Sequence, residues 1–387
     1  MSITDAGIPA ITLTEAELGQ YVTHAPTRGL LTGPGLPADT GLLTFSPLRT
    51  HGLRRLADAT DGPLHLAEEL RDRLVIGELL NPAGMARESI LLDGVTGEIT
   101  TTYLCAPAAP RAFAPSLTTL LNFAAVTEEL TGLRGRFASL AGQYGPRTAT
   151  EASRRLLTLF EEGTDGRVPA YWKAAALIRP LSLVAGPGSA SGGLALDVPA
   201  RLLDQEFGQG RVARFEEVDF PATLTHEPTR RFLRDTGLPE EAVLFHADAD
   251  VPLPTLTEYV TGECADSHLR VELPAHSDHL IRLGHLVEDN SLVVDGRTGA
   301  VLTFSETEGT LHPLNSDVST LAFTLWLLHH ERTIDEHLAN ELTTAAYDQL
   351  AAAMLHTLTS LDPTGLSPDT HWHYWTRLFQ DEAGGAL

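Results

Sequence analysis

Histidines and carboxylates are the groups in this 387-residue chain whose spacing could carry chemistry. Thirteen of the sixteen histidines follow residue 190, in stretches such as "HADAD" (246–250), "HSDH" (276–279) and "HWH" (371–373). On a strand, His246, Asp248 and Asp250 alternate onto one face and would make a metal edge. Against this, the chain has no GxSxG or HExxH motif and no Cys-His pairing of recognisable spacing. Cys105 and Cys264 stand alone, which excludes a thiolate zinc site, a deaminase PCxxC segment and a disulfide framework. The adjacent acids at Glu68-Glu69, Glu128-Glu129, Glu161-Glu162, Glu216-Glu217 and Glu240-Glu241 diverge by about 100° on a helix, so they read as solvated faces, not as a catalytic dyad. Schiff-base chemistry would rest on Lys173 alone, the single lysine of the chain. We therefore expect no catalytic residues, no metal and no cofactor.

The chain repeats itself. "THAPTRGLLTGPGLP" (23–37) lies over "THEPTRRFLRDTGLP" (225–239) with nine identities in fifteen, at an offset of 202. "LLDGVTGEI" (91–99) lies over "VVDGRTGAV" (293–301) at the same offset. "LVIGELL" (74–80) matches "LIRLGHL" (280–286) through Gly77 and Gly284, at an offset of 207. "SLTTLLNF" (116–123) pairs with "DVSTLAFT" (317–324), and "AYW" (170–172) with "HYW" (373–375). Ordered blocks with a period near 200 mean two duplicated domains, not a solenoid. We place the first at 1–186, a glycine-rich linker at 187–193 and the second at 194–387. The patch "GPGSASGG" (186–193) is no phosphate cradle: Leu194 follows Gly193 where a P-loop needs Lys, and Ser191 stands where a dinucleotide fingerprint needs glycine.

The elements of the second copy can be read in order. Pro228 starts a short helix that ends at Gly237. Strand-like runs follow at 242–247, 268–273, 279–287, 291–295 and 300–305. "DGRTG" between the last two reads as a hairpin turn, with Asp-Gly supplying positive φ angles and Gly299 returning the chain to the next strand. Asn315, Ser316 or Asp317 can cap a helix with apolar residues at Leu321, Leu325 and Leu328, and further helices are expected over 335–358 and 370–383. Strands in the middle and helices at the end give an α+β domain, helices packed on one face of an antiparallel sheet.

Charge divides the copies. Residues 1–190 carry 19 acids against 16 bases, whereas 191–387 carry 32 against 11. With a net charge of −24, nucleic acid and anionic membrane are poor partners and a basic protein is a good one. The N-terminus lacks a signal-like apolar run, and "AYWKAAALIRPLSLVAG" is interrupted by Lys173, Arg179 and Pro180, so a cytoplasmic protein is expected. Binding residues concentrate on loops, which points to Asp248, Asp250, Glu263 and Asp266 as partner contacts.

The order of these blocks resembles the SUKH superfamily, within it the group-four bacterial immunity proteins. The likeness rests on the short helix ending in Gly35-Leu36-Pro37 and Gly237-Leu238-Pro239, and on the strand glycines Gly77 and Gly284. It continues through the turns at Asp93-Gly94 and Asp295-Gly296 and the polar cap Asn315-Ser316 before an apolar helix. The first copy departs at the cap, where "APSLTTLLNF" lacks Asn-Ser. The resemblance implies two tandem α+β domains without enzymatic activity. It also implies a cognate toxin as partner, commonly a nuclease or a nucleic-acid deaminase. The alternatives are a scaffold for an endogenous partner and a small-molecule enzyme using the histidine-rich half.

Overall fold

The computed structural model describes residues 10–59, 68–80, 86–102, 110–189, 192–248, 252–262, 273–287, 289–337, 341–364 and 374–375. The chain forms two compact units, residues 1–142 with 150–180, and residues 143–149 with 181–387. The glycine patch expected as a linker takes part in the second unit, where Gly186–Pro187 pair antiparallel with Leu196–Asp197.

Each unit is built on an antiparallel sheet, and the two sheets are copies. In the first, strands Leu43–Thr44, Leu74–Leu80, Ala86–Leu92, Ile99–Thr102 and Arg111–Ala114 lie side by side in that order, with Arg54–Arg55 also pairing to the second. In the second unit the order is Glu241–Ala242, Phe245–Ala247, Leu280–Leu286, Asn290–Asp295, Val301–Ser305 and Leu311–Asn315. The sequence reading missed the last strand, whose Pro313 breaks the apolar alternation; proline is tolerated there because the strand is an edge. The expected strand over 268–273 lies, but for Leu273, outside the described residues.

Register makes the duplication exact in kind. Gly77 opposes Ile90 and Gly284 opposes Leu292, and both strands carry a bulge immediately before the glycine. The connection between these strands is shorter in the second copy, which is why the offset is 207 on one strand and 202 on its neighbour. The glycines are required by contact: a Cβ on Gly77 would lie 2.5 Å from the Thr44 carbonyl oxygen, and one on Gly284 2.2 Å from that of His246.

Helices cover the sheets. Leu117–Thr131, Pro146–Glu162 and Ala170–Ile178 belong to the first copy, Val318–His337 and Glu341–Leu361 to the second. Ser116 caps its helix through the Thr119 amide at 3.1 Å. Asp317 caps the equivalent one through Ser319 and Thr320 at 2.8 and 3.2 Å. Of the closing helix expected over 370–383, Tyr374 and Trp375 are described, both helical and buried like Tyr171 and Trp172. In the second sheet every residue from Ser291 to Val294 is buried, so both faces are covered, not one. The short helix Leu256–Gly262 closes the face bearing Val293, packing Leu256 against Leu280, Val293 and Phe304.

The two most similar sequence blocks of each copy turn out to lock each other. The Gly94 carbonyl accepts the amides of Thr23 and His24 at 2.8 and 2.9 Å, and the Gly296 carbonyl accepts those of Thr225 and His226, both at 2.8 Å. His24 and His226 each bond a threonine three residues on, Thr27 and Thr229, at 2.8 Å through Nδ1. Arg28 and Arg230 donate to the carbonyls of Val22 and Leu224. The Asp-Gly turn is therefore the socket for the start of the proline-led helix. Gly94 and Gly296 do not take positive φ, contrary to the sequence reading; Gly97 and Gly299 do, at +80° and +79°. Glycine follows the aspartate for another reason: a Cβ would lie 1.8 Å from the Tyr21 carbonyl oxygen at Gly94 and 2.4 Å from that of Thr223 at Gly296.

Substituting Gly94→Ala or Gly296→Ala should thus destabilise the protein by about 1–3 kcal/mol or more, because the atom met is backbone. Gly29→Ala, with open space at its Cβ inside a helix, should instead be neutral or stabilising by up to about 1 kcal/mol. Denaturant melts of the three variants distinguish these outcomes; equal stability of Gly94→Ala and Gly29→Ala would refute the lock.

Candidate partner-binding surface

Of the four acids expected to meet a partner, Asp250, Glu263 and Asp266 lie outside the described residues. Asp248 is described, and its carboxylate is engaged. It forms an ion pair with Nη1 of Arg282, whose side chain is 7% exposed. Arg282 also donates from Nε to Ser291 at 2.9 Å and lies 3.8 Å over the Tyr259 ring. Ser291 in turn donates to Glu306. The run Asp248–Arg282–Ser291–Glu306 is a charged track on the outer face of the second sheet. At the register position of Arg282 the first copy has Val75, buried in an apolar cluster with Leu56, Leu70 and Leu91. At that position one copy has hydrophobic packing and the other a buried ion pair. Loop position suggested a freely displayed Asp248; an arginine on a strand 34 residues later was the signal that mattered.

Acids that the structure does display gather at one end of the second sheet. The turn after Leu280–Leu286 carries Asp289, and the turn after Val301–Ser305 carries Glu306 and Glu308. The Glu306 amide donates to the Asp289 carbonyl at 3.0 Å, tying the two turns together. Glu241 lies on the short strand at the other edge, two strands from Leu280–Leu286. Glu241, Asp289 and Glu308 are exposed and have no cationic partner among the described residues. The corresponding connections of the first copy, "NPAGM" (81–85) and "YLCAPAA" (103–109), contain no acid. Three of the additional acids of the second copy are thereby given a place.

The remaining motif residues serve the scaffold. Asp295 Oδ1 accepts the amides of Arg297 and Thr298 at 2.8 and 3.2 Å, and Asp93 Oδ1 accepts those of Val95 and Thr96 at 2.8 and 2.9 Å. Burial works to raise the Asp93 carboxyl, but those amides and the Arg73 guanidinium at 3.3 Å outweigh it and hold it below the usual carboxylate range. Gly35 and Gly237 end their helices at φ +74° and +81°. Beyond them Leu36 bridges to Ile11, and Leu238–Pro239 pair with Val212–Ala213, while Pro37 follows the first bridge.

Asn315 and Ser316 do not cap the following helix; they build a buried hub. Asn315 donates to Asp362 at 3.1 Å and accepts from the Trp375 indole at 3.2 Å. The Ser316 amide reaches Asp362 at 2.7 Å. Burial pushes the Asp362 carboxyl up, yet the Ser316 and Thr320 hydroxyls and the Ser316 and Thr364 amides bring it below its ordinary value. In the first copy Trp172 donates instead to the Phe113 carbonyl at 2.8 Å, which explains how that copy folds without Asn-Ser.

Because Asp248 pairs with Arg282, its replacement should be felt in stability. Asp248→Ala strands a buried guanidinium and should cost about 3–5 kcal/mol, whereas Glu308→Ala on the exposed turn should stay within about 0.5 kcal/mol. Urea denaturation of both variants checks the contrast; a silent Asp248→Ala would contradict the ion pair.

Among the described residues no helix is long and apolar enough to cross a membrane, and no three His, Cys, Asp or Glu side chains converge as a metal centre. Comparison with curated proteins and with solved structures gave no match. The family described as SUKH-4 immunity protein matches residues 9–161 and again 198–381. Those two regions cover most of the chain and coincide with the two locked sheets. The chain belongs to the SUKH-4 immunity protein family, as two tandem domains.

Proposed function

We propose that this protein neutralises a basic protein toxin by binding it, without a catalytic step of its own, in the cytoplasm of the cell it protects. The family match over both copies carries this reading. A nuclease or nucleic-acid deaminase fits best as the toxin, because such enzymes present a cationic cleft for phosphates that an acidic surface can occupy. The second domain makes the main contact, through the end of its sheet bearing Glu241, Asp289, Glu306 and Glu308, together with Asp250, Glu263 and Asp266. Asp248 acts indirectly, by holding Arg282. The duplication supports this division: the same scaffold folds in the first copy without acids in the turns that correspond to those of Asp289, Glu306 and Glu308, so folding does not call for them. Rapid capture suits an immunity protein, and charge steering raises association rates by orders of magnitude.

Affinity purification from the native host, with the retained protein identified and expressed, tests the function. Production of that protein should arrest growth alone and be harmless when this chain is co-expressed. A retained housekeeping protein that causes no arrest would replace immunity with a scaffolding role. With the toxin in hand, the double variant Asp289→Lys, Glu308→Lys should slow association at least tenfold at low salt and leave the melting temperature unchanged. The wild-type rate should fall as salt rises, since such charges are screened beyond about 8 Å at physiological ionic strength. An unaltered association rate would move the contact off these turns.

A further inference from the structure

The alternation of His246, Asp248 and Asp250 singled out in the sequence does not assemble as a metal edge, because Asp248 is taken by Arg282. The sheet supplies a different second ligand. His246 stands directly opposite His285 on the neighbouring strand, with both side chains exposed. Their ring centroids are 5.2 Å apart and the planes are inclined by 34°. Directly paired residues on adjacent antiparallel strands share a face, and this row extends to both sides. Glu241 opposes His246 on one flank. Ser291 opposes His285 on the other, and its hydroxyl donates to Oε1 of Glu306 at 2.5 Å. Two imidazoles thus lie between two carboxylates.

We propose that His246 and His285 together chelate a divalent late first-row transition cation, of which Zn²⁺ is the physiological example, with water completing the shell. Imidazole is the ligand type such cations favour. Bonds of about 2.1 Å in a tetrahedral shell require nitrogens about 3.3 Å apart. With each ring nitrogen about 1.1 Å from its centroid, small side-chain rotations bring rings separated by 5.2 Å to that distance. The strands that carry them are held together by the antiparallel ladder that pairs Phe245 with Leu286, His246 with His285 and Ala247 with Gly284. The row is flanked by the carboxylates of Glu241 and Glu306, and the Arg282 guanidinium on the same face is compensated by Asp248. The first copy has Thr44 and Glu78 at the two register positions, so the histidine pair is particular to the second copy and not demanded by the fold. A two-histidine site with open coordination positions can also accept a ligand from a docked protein.

The test is calorimetric titration of the full chain with ZnCl₂ at pH 7.5, with the variants His246→Thr, which installs the residue of the first copy, and His285→Gln. Saturable binding of one equivalent is expected. Each variant should weaken it at least tenfold with an unchanged melting temperature of the metal-free protein. In NMR spectra of the wild type, the ring signals of His246 and His285 should shift on addition of Zn²⁺. Absence of saturable binding, or binding of equal strength in both variants, would overturn the assignment.

Discussion

Everything in this molecule hangs on a carbonyl. The Gly296 oxygen accepts two successive amides from the start of the Glu227–Asp235 helix, and the Gly94 oxygen does the same for Ala25–Thr32. Hairpin turns are usually free to vary at the surface. These are not, because 71 residues separate the turn from the threonine it holds, and the contact fixes where the helix enters the sheet. Neither glycine can gain a side chain without striking backbone. The histidine ring lies against the second glycine of the turn, where a Cβ would come within 2.3 Å of Nδ1. Burial pushes the His226 imidazole below its ordinary value, with Asp317 and Asp295 opposing, so the neutral ring is favoured in the fold. Its contribution to stability is present above the ordinary histidine pKa and is lost as acid protonates the unfolded chain.

With that scaffold fixed, the copies are free to differ where it is not involved. Val75 and Arg282 occupy one position of the sheet, and Thr44 and His246 another. The first copy fills its core with an aromatic cluster around Trp172, which touches Phe113, Phe123 and Phe160. The second replaces part of this with hydrogen bonds among Asn315, Asp362 and Trp375. The acids likewise collect on turns outside the lock. Duplication followed by divergence of the displayed turns is the simplest physical account of a net charge placed almost wholly in one half.

Much of this was legible in the sequence because the lock constrains residue identity directly. Thr, His, Pro, Thr and Arg at fixed positions, and Asp-Gly-x-Thr-Gly 70 residues on, survive in both copies since each side chain has a specific partner. What the sequence reading misjudged depended on partners far along the chain. Asp-Gly looked like a positive-φ pair, but its glycine answers to the carbonyl of Thr223 or Tyr21. Asn315 and Ser316 looked like caps, but their partner is Asp362, 47 and 46 residues away. Asp248 looked free until Arg282 was placed beside it. The pairing of His246 with His285 follows from the register between two strands that are far apart in the sequence. Local pattern cannot reveal such a register.

Hydrogen exchange on the full chain, alone and with the proposed toxin bound, tests the central claim that a locked, duplicated scaffold displays the acids proposed to bind it on one copy. The amides of Thr23, His24, Thr225 and His226 should be as protected as the central strands in both states. Toxin-dependent protection should appear at Asp289 and at Glu306–Thr310 in the second domain. Lock amides that exchange at the rate of surface turns, or toxin protection confined to the first domain, would contradict the account.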